Sequence, residues 1–238
     1  MPKFGLSSSK GDAKEAFAAD LARRLLLLSD AIIARSKLPI RTLISFCWLL
    51  TVGGGFIVLL NYQESAGGTG FTPMTWPSAS ALRLARGQDT LIMFAHPKCP
   101  CSQASLEELN RALAKTAGKV SVRVLFFKPA QGSNDWTNTT LYRTAASISG
   151  VTALEDIDGQ EAGRFGANTS GYVVLYKPSG DLLFKGGITA GRGHAGDNAG
   201  ESALVALILG QDSAIRQTAV YGCSLFNKRC TTDTTTPP

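Results

Sequence analysis

The chain has 238 residues, of which 44% are hydrophobic and 18% charged, and its formal net charge is +6. Residues 1–41 contain eight basic and four acidic side chains, a net charge of +4, so the rest of the chain holds only +2. The basic excess therefore belongs to the N-terminal segment, and no basic patch interleaved with aromatic residues follows it. This distribution argues against nucleic acid as a partner and indicates the inner surface of a membrane.

The first predicted element is a helix from Ala13 to Arg35. Asp12 and Glu15 form a capping pair at its start. Its apolar residues recur at helical spacing: Phe17, Leu21, Leu25, Leu28 and Ile32. We expect residues 1–41 to form a cytoplasmic basic amphipathic helix that lies on lipid or packs against a second copy of itself.

A stretch of 18 uncharged residues, Leu43–Leu60, follows this segment. Its length matches the hydrocarbon core of a bilayer, and Trp48 and Tyr62 suit the two interfaces. The basic N-terminal flank predicts a single-pass anchor over residues 42–61 in the bacterial inner membrane, with a cytoplasmic N-terminus and a periplasmic C-terminal domain. A cleaved signal peptide is the alternative, but no clean cleavage site follows Leu60.

Residues 62–77 are rich in Gly, Ser, Thr and Pro and are predicted to form a linker. Residues 78–222 are then numerous enough for one domain with its own hydrophobic core. Residues 223–238 are predicted to be a C-terminal tail, and their polar end is typical of disordered segments.

Within the domain, helical patterns alternate with buried strands, and a hairpin comes late. The predicted elements in chain order are helix Ser78–Ala85, strand Thr90–Ala95, helix Ser102–Ala117, strand Val120–Lys128, helix Thr137–Ile148, strand Leu154–Ile157, helix Gln160–Phe165, strands Tyr172–Lys177 and Leu182–Lys185, and helix Glu201–Leu209. This order is typical of an α/β fold whose sheet is closed by a hairpin.

Cys99 and Cys101 lie at the turn between the first strand of the domain and the helix that follows it, with Pro100 between them. Unpaired amide groups and the helix dipole favour a thiolate at such a position, and Lys98 adds a positive charge. The pattern predicts a nucleophilic thiol. Two buried structural cysteines are the alternative.

The other three cysteines are Cys47, Cys223 and Cys230. Cys47 lies in the uncharged stretch, where we expect it to be chemically inert. The four cysteines beyond the anchor face a space where disulfides persist, and they allow three pairings. The most local pairing joins Cys223 to Cys230, and packing of Cys223 near the cysteine turn stays open as an alternative.

The order of the elements, with cysteines after the first central strand, resembles the thioredoxin-like superfamily, particularly its membrane-anchored, extracytoplasmic branch of the TlpA and ResA type. The chain is also similar to a group of anchored thioredoxin-like proteins labelled RedB. The stretches LIMFAHPKCPCS and YVVLYKPSGDLLFKGG carry the resemblance. It implies a three-layer α/β/α fold with a central mixed sheet, preceded by one transmembrane helix.

The resemblance implies a thiol-disulfide oxidoreductase in which Cys99 attacks and Cys101 resolves the mixed disulfide of a protein partner. This chain departs from the family at three places. Ser102 stands where the family has its second cysteine, Ser170 or Gly171 replaces the cis-proline, and Met93 stands near the position of the buried carboxylate.

The resemblance also places the loops before Tyr172 and after Phe184 beside the cysteine turn. Arg192 or His194 would then stabilise a thiolate or move protons. The expected catalytic residues are Cys99, Cys101, Lys98 and His194, and the expected substrate-binding residues are Pro100, Thr169, Ser170, Gly171, Gly187 and Arg192.

A disulfide between Cys99 and Cys101 would close a very small ring with diverging Cβ vectors, so we expect it to be strained and easily reduced. No cofactor is expected for such exchange. The main alternative is a metal-binding protein in which the reduced cysteines hold Cu(I) or Zn(II) together with His194, His96 or Cys223. A third interpretation is a thioredoxin-like adaptor without chemistry.

Overall fold

The computed structural model describes residues 10–131 and 134–226, and the chain divides into two compact units, Met1–Leu60 and Asn61–Pro238. Helix α1 spans Lys10–Glu64 without a break. Its part Ile40–Glu64 is long and apolar enough to cross a membrane. The large apolar side chains described in this part are exposed. The predicted apolar helix ahead of the domain is therefore confirmed.

A five-stranded sheet with helices forms the second unit. Its elements are β1 (Asp89–Ala95), α2 (Cys101–Thr116), β2 (Val120–Lys128), a 3₁₀ helix (Asn134–Trp136), α3 (Thr140–Ser147), β3 (Val151–Ile157), α4 (Gln160–Arg164), β4 (Tyr172–Tyr176), β5 (Leu182–Gly186) and α5 (Ala199–Ile208). From β1 onwards the structure confirms the predicted order of strands and helices. The bounds differ from the prediction by a few residues at the ends.

The predicted helix Ser78–Ala85 is wrong, because these residues form turns and irregular backbone. Side chains from other elements bind the polar groups that a helix would have paired internally. The Glu161 carboxylate accepts hydrogen bonds from the Ser80 hydroxyl at 2.6 Å and from the Ala81 N–H at 2.9 Å. Long-range pairing has thus replaced the local helix.

The strands are arranged in the order β3-β2-β1-β4-β5. β2 runs parallel to both β1 and β3, whereas β4 is antiparallel to β1 and to β5. The sheet is therefore mixed, and β1 occupies its centre.

Alternate residues of β1 pack on opposite faces of the sheet, as the pleat of a strand requires. Leu91 and Met93 belong to a core with residues of α2, α3 and α5. Ile92 and Phe94 belong to a second core, which includes a residue of α4. Helices therefore cover both faces, and the predicted three-layer α/β/α architecture is confirmed.

Residues 66–77, which fall within the predicted linker, pack against the rest of the second unit. The Gly67 N–H donates to the carbonyl oxygen of Val220 at 2.8 Å. Thr72 is buried, and its hydroxyl bonds the Tyr172 hydroxyl at 2.6 Å. This stretch is thus attached to the domain and is not a free spacer.

Candidate functional site

The candidate site lies at the carboxyl end of the central strand β1. Because β4 is antiparallel to β1, with Phe94 opposite Tyr172, the segment that enters β4 lies beside the segment that leaves β1. The Gly171 N–H donates to the carbonyl oxygen of Phe94 at 2.8 Å. The register of the sheet therefore places residues 169–171 next to the cysteine turn.

The cysteine turn connects β1 to α2. Cys99 is completely buried, Pro100 is exposed, and Cys101 is half-buried as the first residue of α2. Pro100 has φ −63° and ψ −28°, which leads directly into the helix, and its missing N–H costs little at a helix start. The Ser102 N–H donates to the carbonyl oxygen of Cys99 at 3.1 Å.

A third cysteine, Cys223, joins the pair. The Sγ atoms of Cys99, Cys101 and Cys223 all lie within 4.8 Å of one another. Among the side chains that the structure describes, this is the only such group of three or more metal-ligating residues, and it includes neither His96 nor His194.

Cys230, the predicted disulfide partner of Cys223, lies outside the described residues. The pairing of Cys223 with Cys230 therefore stays a prediction. The position of Cys223 beside Cys99 matches the alternative that the sequence analysis kept open.

Cys223 is positioned by residues 216–226, which we call the C-terminal strap. The strap pairs with the segment that precedes β4: the Ser170 N–H donates to the carbonyl oxygen of Cys223 at 2.8 Å, and the Leu225 N–H donates to that of Asn168 at 2.9 Å. The strap therefore holds the third sulfur against the cysteine turn through main-chain hydrogen bonds.

Gly222 allows the strap to approach this closely. A Cβ atom on Gly222 would overlap with the carbonyl oxygen of Ser170. The Arg192 guanidinium donates to the carbonyl oxygen of Gly222, and its Nε is buried without a hydrogen-bond partner among the described residues. Arg192 thus lies at the site and holds the strap next to Cys223.

The surroundings of Cys99 favour its thiolate. Hydrogen bonds from the Cys223 thiol, the largest effect, and from the Ser102 hydroxyl lower the pKa of Cys99 to about 4, against burial, which raises it. Burial and then the negative charge of Cys99 raise the pKa of Cys101, while Arg192 lowers it. Near neutral pH, Cys99 is therefore the thiolate and Cys101 the thiol.

Two buried serine hydroxyls connect the cysteine turn to the segment before β4. The Oγ atoms of Ser102 and Ser170 lie 2.6 Å apart, and Ser170 Oγ accepts a hydrogen bond from the His96 N–H at 2.7 Å. Ser170 is among the predicted substrate-binding residues, but sequence reasoning missed a role for Ser102 and the contact between the two hydroxyls. The available signal was that serines stand at two of the places where the chain departs from the family pattern.

Unlike Arg192, the Lys98 and His194 side chains that were expected at the site lie away from the sulfur atoms. Lys98 Nζ lies 4.5 Å from the centroid of the Trp136 ring, and Lys98 is not among the groups that shift the pKa of Cys99. His194 is exposed and stands outside the cysteine cluster. His96 is buried, with its ring 5.5 Å from that of Trp136. The structure therefore does not bring Lys98 or His194 to the sulfur atoms.

The predicted binding residues before β4 and after β5 contact other segments of the chain. The Thr169 hydroxyl donates to the carbonyl oxygen of Gly68 at 2.7 Å. The Gly187 N–H donates to the carbonyl oxygen of Ala219, in the strap, at 3.2 Å. These groups are occupied in this conformation, so a partner that used them would have to displace the strap or residues 66–70.

No family model matches the sequence, and no curated protein matches it. Among solved structures, the chain is similar to a hypothetical protein from Sinorhizobium meliloti 1021, with 20% identity, a TM-score of 0.48, and coverage of 68% of this chain and 94% of that one. It is also similar to an uncharacterised conserved protein from Geobacillus kaustophilus, with 19% identity, a TM-score of 0.48, and coverage of 68% of this chain and 92% of that one. A third similar structure is that of a secreted Mycobacterium tuberculosis disulfide oxidoreductase homologous to E. coli DsbE. Its identity is 16%, its TM-score is 0.38, and the match covers 52% of this chain and 82% of that one.

The strand topology of the second unit identifies its fold. A central strand with a parallel strand on one side and an antiparallel hairpin on the other is covered by helices on both faces. Cysteines stand where that central strand turns into a helix. In these respects the arrangement is the one implied by the family resemblance of the sequence, and the second unit has a thioredoxin-like fold.

Proposed function

We propose that this chain is a membrane-anchored, extracytoplasmic thiol-disulfide oxidoreductase whose attacking group is the Cys99 thiolate. The observation that carries this proposal is the convergence of three sulfur atoms within 4.8 Å at the start of α2. Thiol-disulfide exchange needs one nucleophilic thiolate and a second thiol close enough to close a disulfide. Cys99 supplies the first, and two neighbours are candidates for the second.

The exchange has two steps. The Cys99 thiolate attacks one sulfur of a partner's disulfide, so that a mixed disulfide forms and the other partner sulfur leaves as a thiolate. A second cysteine of this chain then attacks Cys99 Sγ and releases the partner in its reduced form. Run in reverse, the same steps oxidise a partner dithiol. Cys101 is the resolving residue that the sequence analysis predicts.

The long apolar helix supports anchoring of the domain to a membrane. The segment Ile40–Glu64 exposes its large apolar side chains, which suits a lipid environment. The preceding residues carry the excess of Lys and Arg that is typical of a cytoplasmic flank. On this basis the domain would lie in the periplasm, where a partner's disulfides persist.

Exchange with a small disulfide tests the proposed activity. Reduced full-length protein in detergent micelles is mixed with oxidised glutathione, and released glutathione thiol is followed over time. We expect Cys99→Ser to lower the rate by about tenfold or more, because the surrounding hydrogen bonds stabilise the thiolate of Cys99. Cys47→Ser is the matched control and should react like the wild type. An unchanged rate in Cys99→Ser would refute the role of Cys99.

The same three sulfurs also favour a second function, the binding of a soft metal ion. Thiolates are preferred ligands of Cu(I) and Zn(II), and three sulfurs within 4.8 Å can approach one ion. Metal analysis after anaerobic purification tests this alternative. One copper or zinc per chain that is lost in Cys223→Ser, together with wild-type exchange rates in Cys99→Ser, would favour metal binding over redox exchange.

A further inference from the structure

We propose that Cys223, carried by the C-terminal strap, is the resolving thiol, so that the oxidised protein contains a Cys99–Cys223 disulfide and Cys101 remains a thiol. This inference rests on the proposed function, because it names the second thiol of the same exchange. The inference gives the strap a chemical role. The predicted disulfide between Cys223 and Cys230 would instead leave the strap without a part in the exchange.

Contact between Cys99 and Cys223 already exists in the reduced arrangement. The Cys223 thiol donates a hydrogen bond to Cys99 Sγ, and the two Sγ atoms lie within 4.8 Å. The main chain of Cys223 is fixed by the hydrogen bond from the Ser170 N–H at 2.8 Å. Because the two residues belong to separate segments of the chain, a bond between them is free of the small-ring constraint that applies to Cys99 and Cys101.

The backbone between Cys99 and Cys101 disfavours the other pairing. Pro100 has helical dihedral angles, and Cys101 is the first residue of α2. The Sγ atoms of Cys99 and Cys101 also lie within 4.8 Å of each other and share a hydrogen bond, but a disulfide between residues two positions apart closes a very small ring. The fixed φ of Pro100 and the helical backbone at Cys101 limit how far the backbone can adjust to the geometry of such a bond. A Cys99–Cys223 bond leaves α2 intact.

The proposed steps balance in atoms and electrons. Cys99 attacks the partner's disulfide, and the first partner sulfur leaves as a thiolate that takes a proton from water. The Cys223 thiol then gives its proton to the second partner sulfur as the Cys223 sulfur bonds to Cys99 Sγ and breaks the mixed disulfide. Two electrons pass from Cys99 and Cys223 to the partner, which leaves with two thiols.

The strap also restricts access to the nucleophile. Cys99 is completely buried, and Cys223 packs against its sulfur. A partner must therefore displace Cys223 to reach Cys99, and the return of the strap then places the resolving thiol against the mixed disulfide. The strap thus acts before and after the attack.

Linkage mapping tests the inference. Reduced full-length protein is mixed with a small excess of oxidised glutathione, quenched with acid, alkylated and digested without reduction. Trypsin cleaves after Lys228 and Arg229 and so separates Cys223 from Cys230. We expect a Cys99–Cys223 link in the wild type and in Cys101→Ser, and a glutathione adduct on Cys99 that accumulates in Cys223→Ser.

The opposite pattern overturns the inference: an adduct that accumulates in Cys101→Ser but not in Cys223→Ser, or a Cys223–Cys230 link in every sample. Failure of the proposed function would look different, because no variant would then carry an adduct or a link at Cys99.

A variant that keeps every cysteine provides a second test. Gly222→Ala would displace the strap, because the added Cβ overlaps with the Ser170 carbonyl oxygen. We expect it to accumulate the Cys99 adduct as Cys223→Ser does. Gly163→Ala is the matched control, since its Cβ would meet no atom within 4 Å. Wild-type linkage in Gly222→Ala would contradict the role of the strap.

Discussion

Ser170 and Ser102 place their hydroxyl oxygens 2.6 Å apart, and this contact continues a chain of hydrogen bonds that ends at the reactive sulfur. The Ser102 hydroxyl donates to Cys99 Sγ, so the Ser170 hydroxyl must donate to Ser102 Oγ. Ser170 Oγ in turn accepts from the His96 N–H at 2.7 Å. The segment before β4 therefore stabilises the thiolate without touching it.

Replacement of Ser170 by alanine should destabilise the protein. The change leaves the buried His96 N–H without its acceptor, which typically costs about 1–3 kcal/mol. Urea unfolding of the full-length protein, followed by fluorescence, measures the effect. Ser179→Ala is the control, because that hydroxyl is exposed and donates to the exposed Asp181 at 2.7 Å, and its removal should change little. Equal midpoints for the two variants would contradict this prediction.

Removal of the Cys223 thiol should raise the pKa of Cys99. In the wild type we expect alkylation of Cys99 by iodoacetamide, followed by peptide mass spectrometry, to lose half its rate near pH 4. Cys223→Ala removes the largest stabilising hydrogen bond, so its half-point should move to higher pH. Cys223→Ser keeps a donor and should shift less. If the alanine and serine variants titrate together, the hydrogen bond from Cys223 is not the cause.

The stability that Cys99 contributes should depend on pH. Its pKa in the folded protein, about 4, lies below that of a free cysteine, so the unfolded chain binds more protons between these values. This contribution is fully present above the unfolded pKa and is lost as the pH falls towards 4. We therefore expect the stability difference between wild type and Cys99→Ser to shrink from pH 8 to pH 5. A stability difference that stays constant from pH 8 to pH 5 would contradict this prediction.

Protease accessibility tests the orientation of the anchor. The excess of basic residues before the apolar stretch predicts that the domain after residue 61 lies outside the cytoplasmic membrane. Protease added to intact spheroplasts should therefore remove the domain and leave an N-terminal fragment in the membrane. A domain that resists digestion until the membrane is lysed would show that the predicted orientation is wrong.

The local pattern of apolar residues in the sequence was sufficient to predict much of the fold. Strands β1 and β2 are apolar along most of their length, and the helix between them carries an apolar stripe of Leu106, Leu109 and Leu113. Such elements are predictable because each satisfies its own periodicity. The segment Ser78–Ala85 was not predictable, since its polar groups bind Glu161, which lies far away in the sequence.

The candidate site was predictable only in part. The place of Cys99 and Cys101 follows from the strand-to-helix turn, but the place of Cys223 depends on pairing between the strap and Ser170 and on the close approach at Gly222. No local periodicity encodes such pairing. Lys98 adjoins Cys99 in sequence, yet its charged end lies over the Trp136 ring.

Trapping of a partner in the cell envelope tests the central claim most directly. The double variant Cys101→Ser with Cys223→Ser leaves Cys99 without either neighbouring thiol that can resolve a mixed disulfide. After acid quenching and alkylation, non-reducing separation and mass spectrometry should show the Cys99 peptide linked by a disulfide to a partner protein. The triple variant that also carries Cys99→Ser should show none. A fully alkylated Cys99 in the double variant, with no covalent complex, would contradict the assignment of Cys99 as the attacking thiol.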